Sequence, residues 1–447
     1  MATVAEVTVR TGRRSELGLL ALATGVAVLS RGLVDYHADV LELGGLGAYA
    51  LGWIAVSLVL HFAVRRWASF ADPVLLPAVL ALNGIGLAMI RRIDFAYADR
   101  GRDTSFGEVQ IVWSLLGAAL AVAVILLLRD YRLLRRFTYT AGVLGLVGLV
   151  LPLMPVIGTQ INGARIWITV FGRSLQPAEF AKIAFVIFFA GYLVSNRDTL
   201  ALAGPKVLGM RFPRPRDMGP LALVWVAAMM VQIYERDLGT SLLLFGIFVA
   251  MLYVATERLS WVIVGMGMFA AGAVLAGTLF SHVGSRYTAW LHALDPEVYR
   301  SGASEQLVRG LFGMASGGLF GTGWGEGRPD LVPYAESDFI VSSLGEELGL
   351  TGLMAILTLY VIIVQRAMRT AIGVRHGFGK LLAAGLGFAI ALQVFIVVGG
   401  VTRVIPLTGL TTPFLAYGGS SMLANWVIVG LLLRISDQAR RPEEVRA

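Results

Sequence analysis

Three short stretches concentrate the side chains with chemistry to offer. Residues 332–352 read VPYAESDFIVSSLGEELGLTG, with Glu336 and Asp338 at the start of a long apolar run and Glu346 and Glu347 some two turns further on. Residues 176–182, QPAEFAK, set Glu179 and Lys182 three apart, on one helix face and about 4.5 Å apart along its axis. Residues 162–168, NGARIWI, place Arg165 shortly before Trp167, beyond an Asn162-Gly163 turn. Arg165 and Lys182 flank one connection and one helix start. Together they could hold the phosphates of a lipid headgroup, Arg by a bidentate fork and Lys as a point charge.

Each residue also has a local role open to it. With Gln176 as N-cap and Pro177 in the first helical position, Glu179 meets unpaired backbone N–H groups and the positive end of the helix dipole. Lys182 lies deeper, where a cation needs a partner, a wet cavity, or a route for its head to the surface; Glu179 is the obvious partner. Ser337 reads as an N-cap, which puts Asp338 in a first turn where the dipole favours an anion. Glu346 and Glu347 fall about 12–13 Å further along that helix and about 80° and 180° around it from Asp338. At that depth a carboxylate hydrogen-bonds to another helix, meets a buried cation, or takes a proton. The Gly418-Gly419-Ser420-Ser421 cluster suits close helix approach and interhelical hydrogen bonds.

The elements that carry these residues are membrane helices. The chain has 447 residues, 57% hydrophobic and 15% charged, and runs of roughly 20 apolar residues recur along it. The runs are continuous rather than alternating, which excludes a barrel. There is no cysteine, so disulfides, thiolate metal sites and thiol nucleophiles are excluded. His37, His61, His282, His292 and His376 are scattered, with no metal-ligand spacing. The GTGWGEG run at 321–327 lacks the strand–turn–helix setting of a dinucleotide site. Twelve spans are expected, near 16–34, 44–63, 73–90, 111–128, 137–156, 177–195, 219–234, 239–255, 259–280, 338–364, 381–401 and 411–433. Asp72-Pro73, Gln176-Pro177 and Thr412-Pro413 each put a proline at an expected helix start. The first run reads as an uncleaved span rather than a signal peptide.

Arg and Lys gather in the loops at 64–72, 129–136, 196–218 and 366–380 and in the C-terminal tail. By the positive-inside rule these loops and both termini are cytoplasmic. The net charge of +8 therefore reflects loop bias, and no nucleic-acid partner is expected. The outer connections are then 157–176 and the much longer, Gly-rich 281–337, with an amphipathic piece at 303–315. A connection that long in a compact fold usually carries function.

NGARIWI…QPAEFAK, VPYAESDFIVSSLGEELGLTG and PLTGLTTPFLAYGGSS (406–421), in that order, resemble the signatures of the SEDS family of shape, elongation, division and sporulation proteins, the RodA/FtsW/SpoVE group. ERDLGTS (235–241) and the 293–325 stretch fit the same layout. The resemblance covers residues 73–435. It implies an all-α polytopic fold with a ten-helix core, preceded here by two additional helices at 16–72. Residues 1–15 and 436–447 are then cytoplasmic segments. The two extra helices and the LLPAVLALNGIGLAMIRRID stretch look like the RodA-like branch of actinobacteria.

The family is one of peptidoglycan glycosyltransferases, which polymerise lipid II, a lipid carrying its disaccharide-pentapeptide on undecaprenyl pyrophosphate, at the outer face of the cytoplasmic membrane. Such proteins work with a class B penicillin-binding protein. The family's essential aspartate falls on Asp338, and its Q-P-x-E-x-x-K glutamate and lysine fall on Glu179 and Lys182. AESDF replaces the usual A-H-T-D-F, and SEQ at 304–306 replaces G-Y-Q while keeping Gln306; these departures bear on substrate contacts. Glycosyl transfer from a diphosphate needs stabilisation of the leaving group, which Arg165 and Lys182 suit, and a base, which Asp338 suits. A divalent cation such as Mg or Mn on Asp338 is a rival role for that residue. A lipid flippase, and a scaffold that only recruits the transpeptidase, are the competing functions.

Overall fold

The computed structural model describes residues 13–161, 164–170, 172–197, 206–207, 210–211 and 219–442. The Asn162-Gly163 turn, most of the basic 196–218 connection and both chain ends lie outside the described residues. Inside a bilayer a spanning segment must pair its own peptide groups, so the apolar runs close as helices. In chain order these are α1 (Arg13–His37), α2 (Leu43–Trp67), α3 (Leu75–Ala98), α4 (Phe106–Leu127), α5 (Thr138–Val150), α6 (Ala178–Ser195), α7 (Gly219–Glu235), α8 (Leu238–Thr256) and α9 (Leu259–Leu279). Then come the connection helices α10 (Ser281–Leu291), α11 (Pro296–Arg300) and α12 (Glu305–Gly317), followed by α13 (Ile340–Gly373), α14 (Gly377–Val401) and α15 (Gly419–Arg440). Among the described residues, 11 helical segments are long and apolar enough to cross a membrane, and Leu223–Glu235 within α7 is a shorter apolar helix. Each of the twelve expected spans thus has a counterpart, and the chain is a multi-pass helical membrane protein.

Burial sorts the helices. The apolar window of α3 is 89% buried and that of α15 83%, while none of that of α9 is buried. α3 and α15 are central, and α9 stands at the edge, held by α8 and α10. α1 and α2 pack on the flank of α3 and α4. The 157–176 connection is a three-stranded antiparallel sheet, β1 (Gly158–Ile161), β2 (Ala164–Val170) and β3 (Arg173–Leu175), which the helical reading of the sequence did not anticipate.

Two departures from regular helix shape the centre. α13 has 34 residues, about 51 Å at helical rise and far beyond a ~30 Å hydrocarbon core. It breaks at Gly349, with φ 67° and ψ −172°. A break strands the carbonyls before it and the amides after it, and the segment after α12 supplies their partners. Thr322 N donates to Glu346 O (3.0 Å), Gly323 N to Glu347 O (3.0 Å), Leu350 N to Gly318 O (3.0 Å) and Thr351 N to Leu319 O (3.1 Å). The approach leaves no room for a side chain: a Cβ on Gly349 would stand 2.2 Å from Gly321 N.

The second departure is the connection between α14 and α15. Thr412-Pro413 does not start a helix, because α15 begins at Gly419. Residues 408–418 instead run irregularly into the bundle, where their peptide groups are paired by side chains. Asn83 Nδ2 donates to Phe414 O (3.4 Å), Gln110 Nε2 to Ala416 O (3.0 Å) and Gln393 Nε2 to Thr411 O (2.9 Å), and the Tyr360 hydroxyl donates to Pro413 O. Asn83 stands about 22 Å from the far end of α3, so this is non-helical backbone at membrane depth, tolerated because protein surrounds it.

Candidate active site

The connections 99–105, 154–177, 236–237, 280–339 and 402–418 all meet at one end of the bundle, and the charged residues of the site converge there. Asp338 is not in the first turn of α13. Phe339 holds the N-cap position, and neither it nor Ser337 caps through a side chain. Asp338 sits instead in a turn closed by Ser337 N and Phe339 N, which both donate to Tyr334 O at 3.1 and 3.2 Å. Its half-buried carboxyl faces the 402–418 connection, and a Cβ on Gly409 would lie 3.7 Å from Asp338 Oδ2. Burial is the main reason its proton affinity is pushed up, to a pKa of about 7. Glu336 and Asp237 add to the rise and Arg286 opposes it.

Arg286 is a residue that the sequence reading missed. It lies half-buried on α10, and its Nη1 donates to Leu407 O and Thr408 O at 3.1 Å each, next to the glycine that abuts Asp338. α10 is pinned to that connection a second time. Trp290 Nε1 donates to Arg403 O (3.0 Å), and Arg403 returns bonds from Nε to Trp290 O (2.7 Å) and from Nη2 to Leu291 O (2.8 Å). Burial lowers the proton affinity of Arg286, and the charges of Asp237 and Asp338 act against that fall.

Asp237 is the second residue missed. It is the N-cap of α8, accepting from Thr240 N at 2.9 Å and Thr240 Oγ1 at 2.7 Å. Burial raises its pKa, while the Thr240 bonds and Arg286 pull it down. The Asp-x-x-Thr spacing within ERDLGTS was the signal for the cap. Nothing in the sequence marked Arg286, because its partners are backbone carbonyls more than a hundred residues away.

Glu179 and Lys182 do meet, but not as a phosphate site. Lys182 is 1% exposed; its Nζ donates to Glu179 Oε2 (2.5 Å) and Gln393 Oε1 (2.7 Å). Gln393 Nε2 in turn reaches Glu179 Oε1 (3.4 Å). The group closes on itself and ties α6 to α14. Glu179 does not cap α6: Pro177 holds the N-cap position without a side-chain bond, and Gln176 donates its N–H to Ser420 Oγ at 2.7 Å. Arg165 is exposed on β2, so the structure does not bring it to the buried Lys182. Gln306 is half-buried on the first turn of α12.

Glu346 and Glu347 are anchors for the glycine-rich run. Glu347 accepts from Gly325 N (3.0 Å) and Arg92 Nε (3.0 Å), and Arg92 Nη2 donates to Gly327 O (2.7 Å). Glu346 accepts from Arg328 N (3.0 Å) and Ser316 Oγ (3.4 Å). Both are buried and precede the break at Gly349, and Glu347 meets the buried cation on another helix that its place in the apolar run called for, Arg92 of α3. Ser420 joins segments, since its Oγ accepts from Gln176 N at the head of α6, whereas Ser421 accepts from Asn425 Nδ2 at 3.1 Å within α15 itself and makes no interhelical bond of that kind among the described residues. Among the described residues no group of three or more His, Cys, Asp or Glu is placed to hold a metal ion.

Comparison with known proteins identifies the family and the fold. The family model described as "Cell cycle protein", for FtsW, RodA and SpoVE, matches residues 73–441. The chain is 48% identical over 439 residues to a protein named peptidoglycan glycosyltransferase RodA from Mycobacterium tuberculosis, covering 98% of this chain and 93% of that one. It is 32% identical over 378 residues to stage V sporulation protein E of Bacillus subtilis, covering 83% and 98%. Among solved structures, the fold is similar to that in a peptidoglycan synthase complex (TM-score 0.65, 23% identity, 83% of this chain and 99% of that one). It is also similar to the rod shape determining protein RodA of Thermus thermophilus (TM-score 0.58, 24% identity, 83% and 98%). The chain belongs to the FtsW/RodA/SpoVE family.

Proposed function

We propose that this protein is a peptidoglycan glycosyltransferase of the RodA type that polymerises lipid II. The observation that carries the reading is Asp338. It is a half-buried carboxyl with its pKa pushed up to about 7, set opposite a guanidinium at the bundle end that bears the long connection. A carboxylate of that basicity is suited to take a proton from a sugar hydroxyl near neutral pH. In the step proposed, the acceptor hydroxyl attacks the anomeric carbon of the lipid-linked donor. The new glycosidic C–O bond forms as the bond to the diphosphate oxygen breaks. The electron pair leaves with the diphosphate, and the hydroxyl proton passes to Asp338.

In this reading this end of the bundle faces outward from the cytoplasmic membrane and both termini lie inside, which the charge bias of the loops supports. A class B penicillin-binding protein is the expected partner, by analogy with the peptidoglycan synthase complex. Among the described residues Asp338 stands in no cluster of three or more metal ligands, and in this reading a divalent cation such as Mg or Mn would come with the donor diphosphate. A flippase would need a polar track through the bundle. Against that stands the 408–418 segment, which fills the bundle centre and whose peptide groups are already paired.

The test is polymerisation of lipid II by the purified protein with its partner, in the presence of penicillin to block cross-linking. Wild type should yield glycan chains and Asp338→Ala none, with partner binding unchanged. Full polymerisation by Asp338→Ala would overturn the assignment, and loss of the partner in that variant would favour a scaffold.

A further inference from the structure

We infer that Arg286 grips the diphosphate of the lipid-linked donor, and that Asp237 is the positioning residue that aims it. The inference rests on the glycosyltransferase reading and names the group that meets the leaving group.

Breaking a bond to a diphosphate builds negative charge on its oxygens, and a site beside Asp338 and Glu336 must offset that charge with a cation. Lys182 is spent: it is buried, it already serves Glu179 and Gln393, and drawing it away would leave Glu179 an uncompensated buried charge. Arg165 is exposed on the sheet. Arg286 is half-buried and adjoins Asp338 through the 407–409 backbone. Its Nη1 carries both carbonyl contacts, and a bidentate grip on a phosphate uses the other edge, Nη2 and Nε.

The two neighbouring carboxylates are not equivalent. Asp237 is clasped by Thr240 N and Oγ1, so its carboxyl is fixed in position and acts on the guanidinium through its charge, without a direct ion pair. Asp338 has no such clasp among the described residues and is the one able to turn toward a substrate. α10 is itself locked by the reciprocal Trp290–Arg403 bonds, so the guanidinium is presented rather than left to search, which lowers the entropy lost on binding.

The experiment uses the full chain with its partner, lipid II as substrate, and farnesyl diphosphate, farnesyl monophosphate and farnesol as competing probes. Wild type should be inhibited most strongly by the diphosphate. Arg286→Ala should raise KM by about tenfold to a hundredfold and lose the preference of diphosphate over monophosphate. Arg286→Lys, which keeps the charge without the fork, should fall between. Asp237→Asn keeps the helix cap, because Asn caps as well as Asp, and removes only the charge that aims Arg286; KM should rise while thermal stability holds.

The pH profile supplies a readout that a merely structural role would not move. The charged groups facing Asp338 are Glu336, Arg286 and Asp237. Removing Arg286 should shift the acid limb of kcat/KM to higher pH, and removing the Asp237 charge should shift it lower. An Arg286→Ala enzyme with unchanged KM and an intact diphosphate preference overturns the inference. So does a variant that loses only kcat and stability together. If wild type makes no polymer, the glycosyltransferase reading falls, while thermal-shift binding of the farnesyl probes to wild type and Arg286→Ala still decides whether Arg286 holds a diphosphate.

Discussion

Asp338 should be a stability liability, and replacing it with Asn should make the protein harder to unfold. The folded carboxyl has its pKa carried from an ordinary 3.8 to about 7. Above about pH 7 the ionised side chain therefore costs the folded state about 4 kcal/mol relative to the unfolded chain. The sign follows from the direction of the shift. Because the folded pKa is the higher, the folded protein holds its proton where the unfolded chain has lost it, and stability falls as pH rises through the window from 3.8 to about 7. At about pH 5 the folded carboxyl is still protonated and the cost is only about 1.6 kcal/mol. Asn is neutral and of the same shape, so Asp338→Asn escapes a cost that grows with pH. Thermal unfolding of wild type and Asp338→Asn in detergent, followed by tryptophan fluorescence at about pH 5 and about pH 8, measures the difference. The variant should melt higher by a few degrees at the higher pH and by clearly less at the lower. An equal gain at both pH values, or a less stable variant, would refute the argument that burial and Glu336 hold this carboxyl against ionisation. Gain of stability with loss of polymerisation is the trade expected where an active site stores strain.

Wild-type kcat/KM should be half-maximal near pH 7 and fall about tenfold for each further pH unit below, since Asp338 must be unprotonated to act as base; a rate independent of pH between about 5 and 8 excludes it. Gly349→Ala should cost more than about 2 kcal/mol and reduce folded yield, since the left-handed backbone and the 2.2 Å approach to Gly321 N leave no place for a methyl group; recovery of wild-type amounts of monodisperse protein would contradict it. Lys182→Gln should destabilise by about 3 kcal/mol or more by stranding Glu179, and adding Glu179→Gln should restore much of that loss. If the double variant is no more stable than the single one, the closed Glu179–Lys182–Gln393 group is not what Lys182 is for.

The spans were legible because hydropathy alone demands them, and Asp338 because a carboxylate at the head of an apolar run stands out. What was not legible was the break in α13 and the partners it brings. An unbroken helix is what the apolar run suggests, but Gly349 ends the first segment just beyond Glu346 and Glu347, and Arg92 of α3 meets Glu347 as a buried cation. Their carboxylates then serve the amides of 325 and 328. The sheet does have a mark in the sequence: Asn-Gly at 162–163 between two runs with β-branched residues is a hairpin pattern. Lys182 was paired with Arg165 because both flank one connection, yet nearness in sequence says nothing of which side of a helix faces Gln393 on α14. Arg286 was silent because backbone carbonyls leave no mark in sequence.

The 408–418 segment also dictates an order of assembly. Its partners Asn83 and Gln110 belong to helices made early, while the segment itself follows α14 and precedes the last helix. A nascent chain that has not yet made this segment therefore lacks the acceptor for Gln110 Nε2 and one of the acceptors for Asn83 Nδ2, which keeps Ser114 Oγ on α4. The unpaired Gln110 amide is a mark by which an unfinished chain differs from a finished one. Arg286 is in the same position, since its carbonyl partners at 407 and 408 arrive only with this segment. The end of the bundle that bears Asp338 and Arg286 is thus completed only near the close of synthesis.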